Sequence, residues 1–186
     1  MGATTETRSR MVNSAAVLLR EHGVAGTSIA RVLEHSHGPR GSVQFHFPGG
    51  KAQLLTEALA WAGGLVTGVL ARAEERGATP AEVLTAICEH YKRQLVDTDF
   101  RAGCPVGAVS QEAFGDPELG PIVAGVVDDW MRVLSGVLVE AGRDETEASD
   151  LALLCISSLE GAITMARVRR STRPIEIVQE RLIPLL

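Results

Sequence analysis

Apolar residues recur every three or four positions along nearly the whole chain, which is the spacing of amphipathic helices. The breaks between these stretches contain glycine, proline or polar residues, as in the segments GDPELGP and GRDE. No stretch alternates strictly between apolar and polar residues, so the sequence predicts an all-α fold. Helices are predicted at about 5–22, 50–76, 80–96, 105–113, 118–141 and 146–169, with a last short helix from Pro174.

Between the first two long helices lies a segment, residues 27–51, that predicts two very short helices joined by a tight turn. Thr27 and Ser28 suit the N-cap of the first, and Pro39 suits the first position of the second, where its missing N–H costs nothing. A helix this short and polar makes a poor core element, but it suits the DNA major groove. An apolar anchor is expected within it, formed by Val43, Phe45 and Phe47.

Four motifs follow one another around this segment: EHG at 21–23, TS at 27–28, GPRGS at 38–42 and HFPGGK at 46–51. In order and spacing they resemble the DNA-binding domain of the TetR family of bacterial transcriptional repressors. The PGGK variant and a later segment, GCPVGAVSQEA, resemble the branch that responds to drug-like and flavonoid-like molecules. The resemblance implies an N-terminal three-helix helix-turn-helix domain, residues 1–50. It also implies a C-terminal helical ligand-binding and dimerisation domain, residues 51–186.

The chemistry of the helix-turn-helix segment identifies candidate DNA contacts. Arg40 can reach a guanine edge or a phosphate, Gln44 can pair with adenine, and Gly41 lets the backbone approach the duplex closely. The remaining candidates are hydroxyl and basic side chains expected to bind phosphate oxygens: Thr27, Ser28, Ser42, His46 and Lys51.

Two residues depart from the pattern of the family that the segment resembles. The family usually has Tyr where this chain has Gln44, and Gly where it has His37. Gly38 is expected to take a left-handed backbone conformation in the turn instead. These departures leave the base preference open. They also leave an alternative to a DNA-binding repressor, namely a helical interaction protein with a degenerate DNA-binding head.

Charge is distributed unevenly along the chain. Residues 1–51 hold six basic and three acidic residues, whereas the remainder holds twelve basic and twenty acidic residues, for a total of −5. A basic head on an acidic body is typical of proteins in which a single module meets the phosphates of double-stranded DNA.

The two long helices at 118–141 and 146–169 are apolar over more than one stripe. One stripe is enough for the core of a monomer, so the surplus indicates a second helical partner. A homodimer is therefore predicted, in agreement with the resemblance, which implies a four-helix dimer interface. The alternative is that both helices are central and surrounded by their own chain.

The body of the chain has the composition of an apolar cavity with few polar groups, which predicts a hydrophobic or aromatic small-molecule effector that releases DNA. Polar contacts are expected from the helix that borders the effector pocket in the family branch. The candidate lining residues are Trp61, Leu65, Tyr91, Phe100, Cys104, Val109, Ser110, Gln111, Phe114, Trp130, Met131 and Met165.

Other function classes have weaker support. Cys104 beside Arg101 would be an exposed redox sensor in an alternative reading. Catalytic pairs could be drawn from Cys88 or Cys104 with His90, or from Ser110 with Glu112, but no nucleophile elbow, phosphate loop or metal spacing accompanies them. No catalytic residue, cofactor or metal site is therefore predicted.

The chain is expected to stay in the cytoplasm without membrane contact. Its start, MGATTETRSR, lacks the apolar core of a signal peptide. No uninterrupted apolar run reaches the ~18–20 residues that cross a bilayer.

Overall fold

The computed structural model describes residues 2–112 and 115–186, and within these residues it contains helices and no strand. The predicted all-α fold is confirmed. In chain order the helices are α1 Gly2–Gly26, α2 Ile29–Ser36, α3 Ser42–His46, α4 Gly50–Glu75, α5 Pro80–Asp97, α6 Pro105–Glu112, α7 Leu119–Glu140, α8 Glu145–Arg169 and α9 Arg173–Leu182, followed by a 3₁₀ turn, Ile183–Leu185.

The first helix differs most from its predicted bounds. It was expected to end at Gly23, but a kink there is followed by one further turn, and α1 extends to Gly26. Gly23 has φ 67° and ψ −172°, a backbone conformation that is essentially restricted to glycine. The prediction was right about the break and wrong about the end.

Side-chain caps explain where several helices begin. Thr79 and Glu82 form a capping box at the start of α5, each side chain accepting a hydrogen bond from the other residue's N–H. The backbone hydrogen bond from Thr79 holds the pKa of the Glu82 carboxyl below its usual range. At the start of α8, Asp144 accepts from the N–H groups of Thr146 and Glu147. The polar breaks in the sequence therefore set the helix starts.

The chain divides into two compact units. One contains residues 1–64 and 104–126, and the other contains residues 65–103 and 127–186. This division differs from the predicted boundary between residues 50 and 51, because the first half of α4 buries its leucines in the core of the N-terminal helices. The fully buried side chains of this first core include Met11, Leu19, Val32, Phe47, Leu54, Leu55 and Leu59.

The second unit is built from the end of α4, α5, the larger part of α7, α8 and α9. The amide of Gln179 on α9 accepts from Lys92 and donates to Thr85, both on α5. The core consists of apolar side chains at helical spacing, including Val83, Leu84, Cys88, Tyr91, Leu95, Leu134, Leu138, Ile163 and Ile175.

Two helices are long and apolar enough to span a bilayer by length and composition alone, Gly50–Ala73 within α4 and Glu145–Arg169. The expectation that no stretch would reach this length is therefore corrected. Single charged residues interrupt both stretches, but their mean hydropathy still reaches 1.5. This is weak evidence for a membrane segment, because α4 and α8 also supply core residues to the two units, and core helices of soluble proteins meet the same criterion.

Candidate nucleic-acid interface and effector cavity

The turn between α2 and α3 is built around a left-handed histidine. His37 has φ 52° and ψ 35°, and its N–H caps the end of α2 by donating to the carbonyl of Glu34. The expectation that Gly38 would take this conformation is wrong. Gly38 lies close to the first core instead, and a Cβ atom there would be 2.6 Å from the Cε of Met11, so this methionine would have to shift.

Replacing His37 by glycine is expected to raise the free energy of unfolding by up to about 1 kcal/mol, because a left-handed backbone strains residues that carry a Cβ. His37→Ala keeps that strain and is the matched control. Urea denaturation of the full chain measures both variants. Equal stability of the two variants would contradict this assignment of strain to the turn.

The short helix α3 has a buried side and an exposed side. Val43 and Phe47 are buried in the first core, as two members of the predicted apolar anchor. Phe45 is not part of that anchor, since 73% of its side chain is exposed. Arg40, Gly41 and Gln44 are also exposed, whereas Ser42 and His46 are half-buried.

Three of the predicted phosphate ligands donate hydrogen bonds to carbonyl groups within the protein. Thr27 is fully buried and donates to the carbonyl of Gly23, so we correct its expected phosphate contact to a structural role. Lys51 Nζ donates to the carbonyl of Val24 at 2.9 Å. The hydroxyl of Ser42 donates to the carbonyl of Pro39 at 2.6 Å.

Two of the predicted phosphate ligands, Thr27 and Ser28, lie just before α2, and of these two only Ser28 lies at the surface. Ser28 is exposed and caps α2 by accepting from the N–H of Arg31. A phosphate contact by Ser28 therefore stays a prediction that this exposure permits.

The end of α1 is tied to two distant helices of the first unit. After the kink at Gly23, the N–H groups of Val24 and Ala25 donate to the two carboxylate oxygens of Glu112 on α6, at 2.9 and 2.8 Å. Lys51 on α4 binds the carbonyl of the same Val24. We call these five residues the kink junction. It joins α1, which packs against α2 of the helix-turn-helix, to α6 and α4.

The second unit contains a small, partly open cavity lined by residues of α4, α5, α7 and α8. Its volume is about 40 Å³, close to the space of one water molecule. Its walls are almost entirely apolar, and the polar side chains among them are Tyr91, Trp130 and Glu160. The lining residues are Val66, Leu70, Leu84, Ile87, Tyr91, Trp130, Leu134, Cys155, Ile156, Leu159 and Glu160.

Only Tyr91 and Trp130 of the predicted effector contacts line this cavity. Aromatic, sulfur-containing and polar residues were favoured as effector contacts, whereas the aliphatic walls and Glu160 were not predicted. Periodicity on α8 could have found them, since Cys155, Ile156, Leu159 and Glu160 recur at helical spacing.

The other predicted effector contacts lie elsewhere. Trp61 lines a surface groove between α1 and α4, and Leu65 lines an open groove beside α5. Phe114 is outside the described residues. Cys104 and Val109 are buried, Phe100 and Met131 are half-buried, and Ser110, Gln111 and Met165 are exposed.

All three cysteines are buried. Burial raises the pKa of the Cys88 and Cys155 thiols to about 11, so both are protonated at neutral pH. Cys104 is 3% exposed, and its sulfur accepts a hydrogen bond from the N–H of Gly107. The expectation of an exposed Cys104 that senses oxidants is therefore wrong for this conformation.

One side of α8 carries large apolar residues on its surface. Leu154, Met165 and Val168 are exposed, and the smaller Ser157 and Gly161 lie between them at helical spacing. Small residues between large ones allow a second helix to approach closely.

Comparisons with known proteins agree with one another. Residues 80–181 match the family model described as the C-terminal domain of LmrA/YxaF-like transcriptional regulators. An uncharacterized HTH-type transcriptional regulator of Mycobacterium tuberculosis is 44% identical over 96% of this chain and 93% of its own length. LmrA of Bacillus subtilis is 26% identical over 91% of each chain.

Solved structures share the fold as well. A TetR transcriptional regulator from Chloroflexus aurantiacus superposes with a TM-score of 0.81 at 27% identity, covering 99% of this chain and 96% of its own. Family model, relatives and structure all point to a transcriptional regulator with a helix-turn-helix.

Proposed function

Because the chain belongs to the TetR-type transcriptional regulators of the LmrA/YxaF-like group, we propose that it is a cytoplasmic repressor that binds a palindromic operator as a homodimer. In this proposal residues 1–50 read DNA, and residues 51–186 bind a hydrophobic small molecule whose binding releases the operator. The observation that carries the proposal is the segment 40–47 around α3, which is anchored by two buried residues and offers Arg40, Gln44 and Phe45 to solvent.

The exposed side of α3 has the chemistry of a major-groove reader. Arg40 suits guanine and Gln44 suits adenine, since each can form a bidentate pair with its base. Phe45 adds an apolar surface, and the apolar group that the major groove offers is the methyl of thymine. Gly41 is at φ 85° with open space around it, so the backbone before α3 can lie close to a phosphate.

The exposed apolar side of α8 supports dimerisation. A helix-turn-helix reads few bases alone, and a palindrome is matched by two-fold protein symmetry. Burying Leu154, Met165 and Val168 against the same residues of a second copy removes their remaining exposed surface from water. Full burial of one such side chain contributes roughly 1.5–3 kcal/mol, and about half of that remains available to the partly exposed Leu154 and Met165.

The cavity in the second unit supports effector binding. It is lined by residues of four helices, so a ligand that enlarges it shifts side chains or helices of the second unit. Pockets for drug-sized ligands have volumes of roughly 300–1,000 Å³, so such an effector requires this cavity to enlarge. A ligand that binds the enlarged state more tightly shifts the population toward that state. Operator affinity falls if the distance between the two DNA-binding domains of the dimer then no longer matches the distance between the operator half-sites.

The test is fluorescence anisotropy with DNA from the region upstream of the protein's own gene. We expect salt-sensitive, sequence-selective binding that weakens about 10- to 100-fold in Arg40→Ala, as for the loss of one bidentate base contact. Arg93→Ala, at an exposed arginine of α5 in the second unit, is the matched control and is expected to bind normally. Weak binding that responds to neither salt nor Arg40 would instead favour the degenerate head.

A further inference from the structure

The cavity in the second unit has a single charged residue in its wall. Of its eleven lining residues, Glu160 is the one acid, and none is a lysine, arginine or histidine. The two aromatic residues, Tyr91 on α5 and Trp130 on α7, are buried. Glu160 follows Leu159 and lies one helical turn after Ile156, so α8 presents the acid beside aliphatic residues of the same wall.

We propose that the effector is an organic cation, an amine with an apolar or aromatic body, whose positive group binds beside Glu160. The proposal rests on the function proposed above and names the chemical class of its ligand. A carboxylate accepts several hydrogen bonds at once, so Glu160 can bind an ammonium in addition to the partners that it has within the protein.

Such a site discriminates strongly between cationic and anionic ligands. An interaction between opposite charges is several-fold stronger beside an apolar wall than in water, because the effective dielectric constant is lower. Aromatic rings add to the attraction for cations through their negative faces. An anionic ligand would lose its hydration and also be repelled by Glu160, so the wall selects against it.

A neighbouring groove indicates how a ligand would lie. This groove has a volume of about 150 Å³ and is lined by Leu65, Val66, Val69, Arg72, Ile87 and His90. Val66 and Ile87 line both the groove and the cavity, so a shift of these two side chains would join the two spaces. Arg72 and His90 lie on the groove side. The ligand would therefore place its amine inward at Glu160, away from these basic groups, and its apolar body outward in the groove.

Three probes that share one ring system separate charge from shape: naphthylmethylamine, naphthylmethanol and naphthoic acid. Their affinities for the full chain would be measured by isothermal titration at neutral pH. We expect the amine to bind at least about 10-fold more tightly than the alcohol, and the acid to bind most weakly, as for one ionic contact in a partly buried site. Glu160→Gln is expected to abolish the preference for the amine and to leave the affinity for the alcohol unchanged.

Glu140→Gln is the control, since it removes the same charge from an exposed position on α7. The proposal is overturned if the alcohol or the acid binds as tightly as the amine, if Glu160→Gln leaves amine binding intact, or if no probe binds.

The anisotropy assay distinguishes a failure of the proposed ligand class from a failure of the proposed repressor function. Operator release by the alcohol, without a preference for the amine, would reject the ligand class and keep the repressor. Selective amine binding without any change in operator affinity would keep the site and reject its role in regulation.

Discussion

Gly23→Ala is expected to lower the free energy of unfolding of the first unit by about 2–5 kcal/mol, because two costs combine at this position. The backbone at φ 67° and ψ −172° is strained for any residue with a Cβ. An added Cβ would also lie 1.9 Å from the Glu112 Oε1 that accepts from Val24, so the carboxylate must leave the kink junction. Thermal and urea denaturation of the full chain measure the change.

Two further variants separate these costs. Glu112→Ala alone is expected to destabilise by about 1 kcal/mol, since it removes both hydrogen bonds to the end of α1 but leaves those N–H groups near solvent. The double variant Gly23→Ala/Glu112→Ala should lose less than the sum of the single variants, because the clash needs the carboxylate. Gly64→Ala is the control, since nothing lies within 4 Å of its added Cβ. This helical position is expected to gain up to about 1 kcal/mol. Wild-type stability of Gly23→Ala would refute the account of the kink.

Met165→Glu is expected to convert a dimer into a monomer and to weaken operator binding by at least about 100-fold. Met165 lies in the exposed apolar side of α8. In a two-fold interface each substitution appears twice, and two uncompensated charges cost roughly 2–5 kcal/mol or more when they are buried. A monomer then contacts only half of the palindrome. Sedimentation velocity measures the oligomeric state, and anisotropy measures operator affinity.

Val96→Glu provides the control for Met165→Glu. Val96 is an exposed apolar residue at the end of α5, outside the exposed side of α8, so this variant should stay dimeric and bind DNA normally. If Met165→Glu also stays dimeric, the dimer interface does not include the exposed side of α8. If both variants become monomeric, added negative charge rather than this particular surface is responsible.

The sequence predicts well what depends on neighbouring residues. The apolar stripe of α5 is a clear case. Six of its residues recur at helical spacing, Val83, Leu84, Ile87, Cys88, Tyr91 and Leu95, and all are buried except Ile87, which is half-buried. Periodicity and capping are local properties, so they act on the helix wherever it packs. The resemblance of the N-terminal motifs to TetR regulators rested in the same way on short spacings, and the comparisons confirm it.

Long-range geometry could not be predicted in this way. Glu112 lies 88 residues from Val24 in the sequence, and no local pattern marks it as the partner of a kink. Residue type was also a poor guide in the turn between α2 and α3. The glycine at position 38 was expected to take the left-handed conformation, but His37 takes it. In the cavity, aromatic residues were favoured as ligand contacts, but most of the wall is aliphatic and comes from four separate helices.

The buried thiol of Cys155 makes the opening of the cavity in the second unit measurable. Cys155 lines the cavity, and its pKa of about 11 leaves about one thiol in ten thousand ionised at neutral pH. A small thiol reagent therefore reacts with Cys155 only when the wall opens and water reaches the sulfur. The rate at which Cys155 is labelled therefore measures how often the wall of this cavity opens.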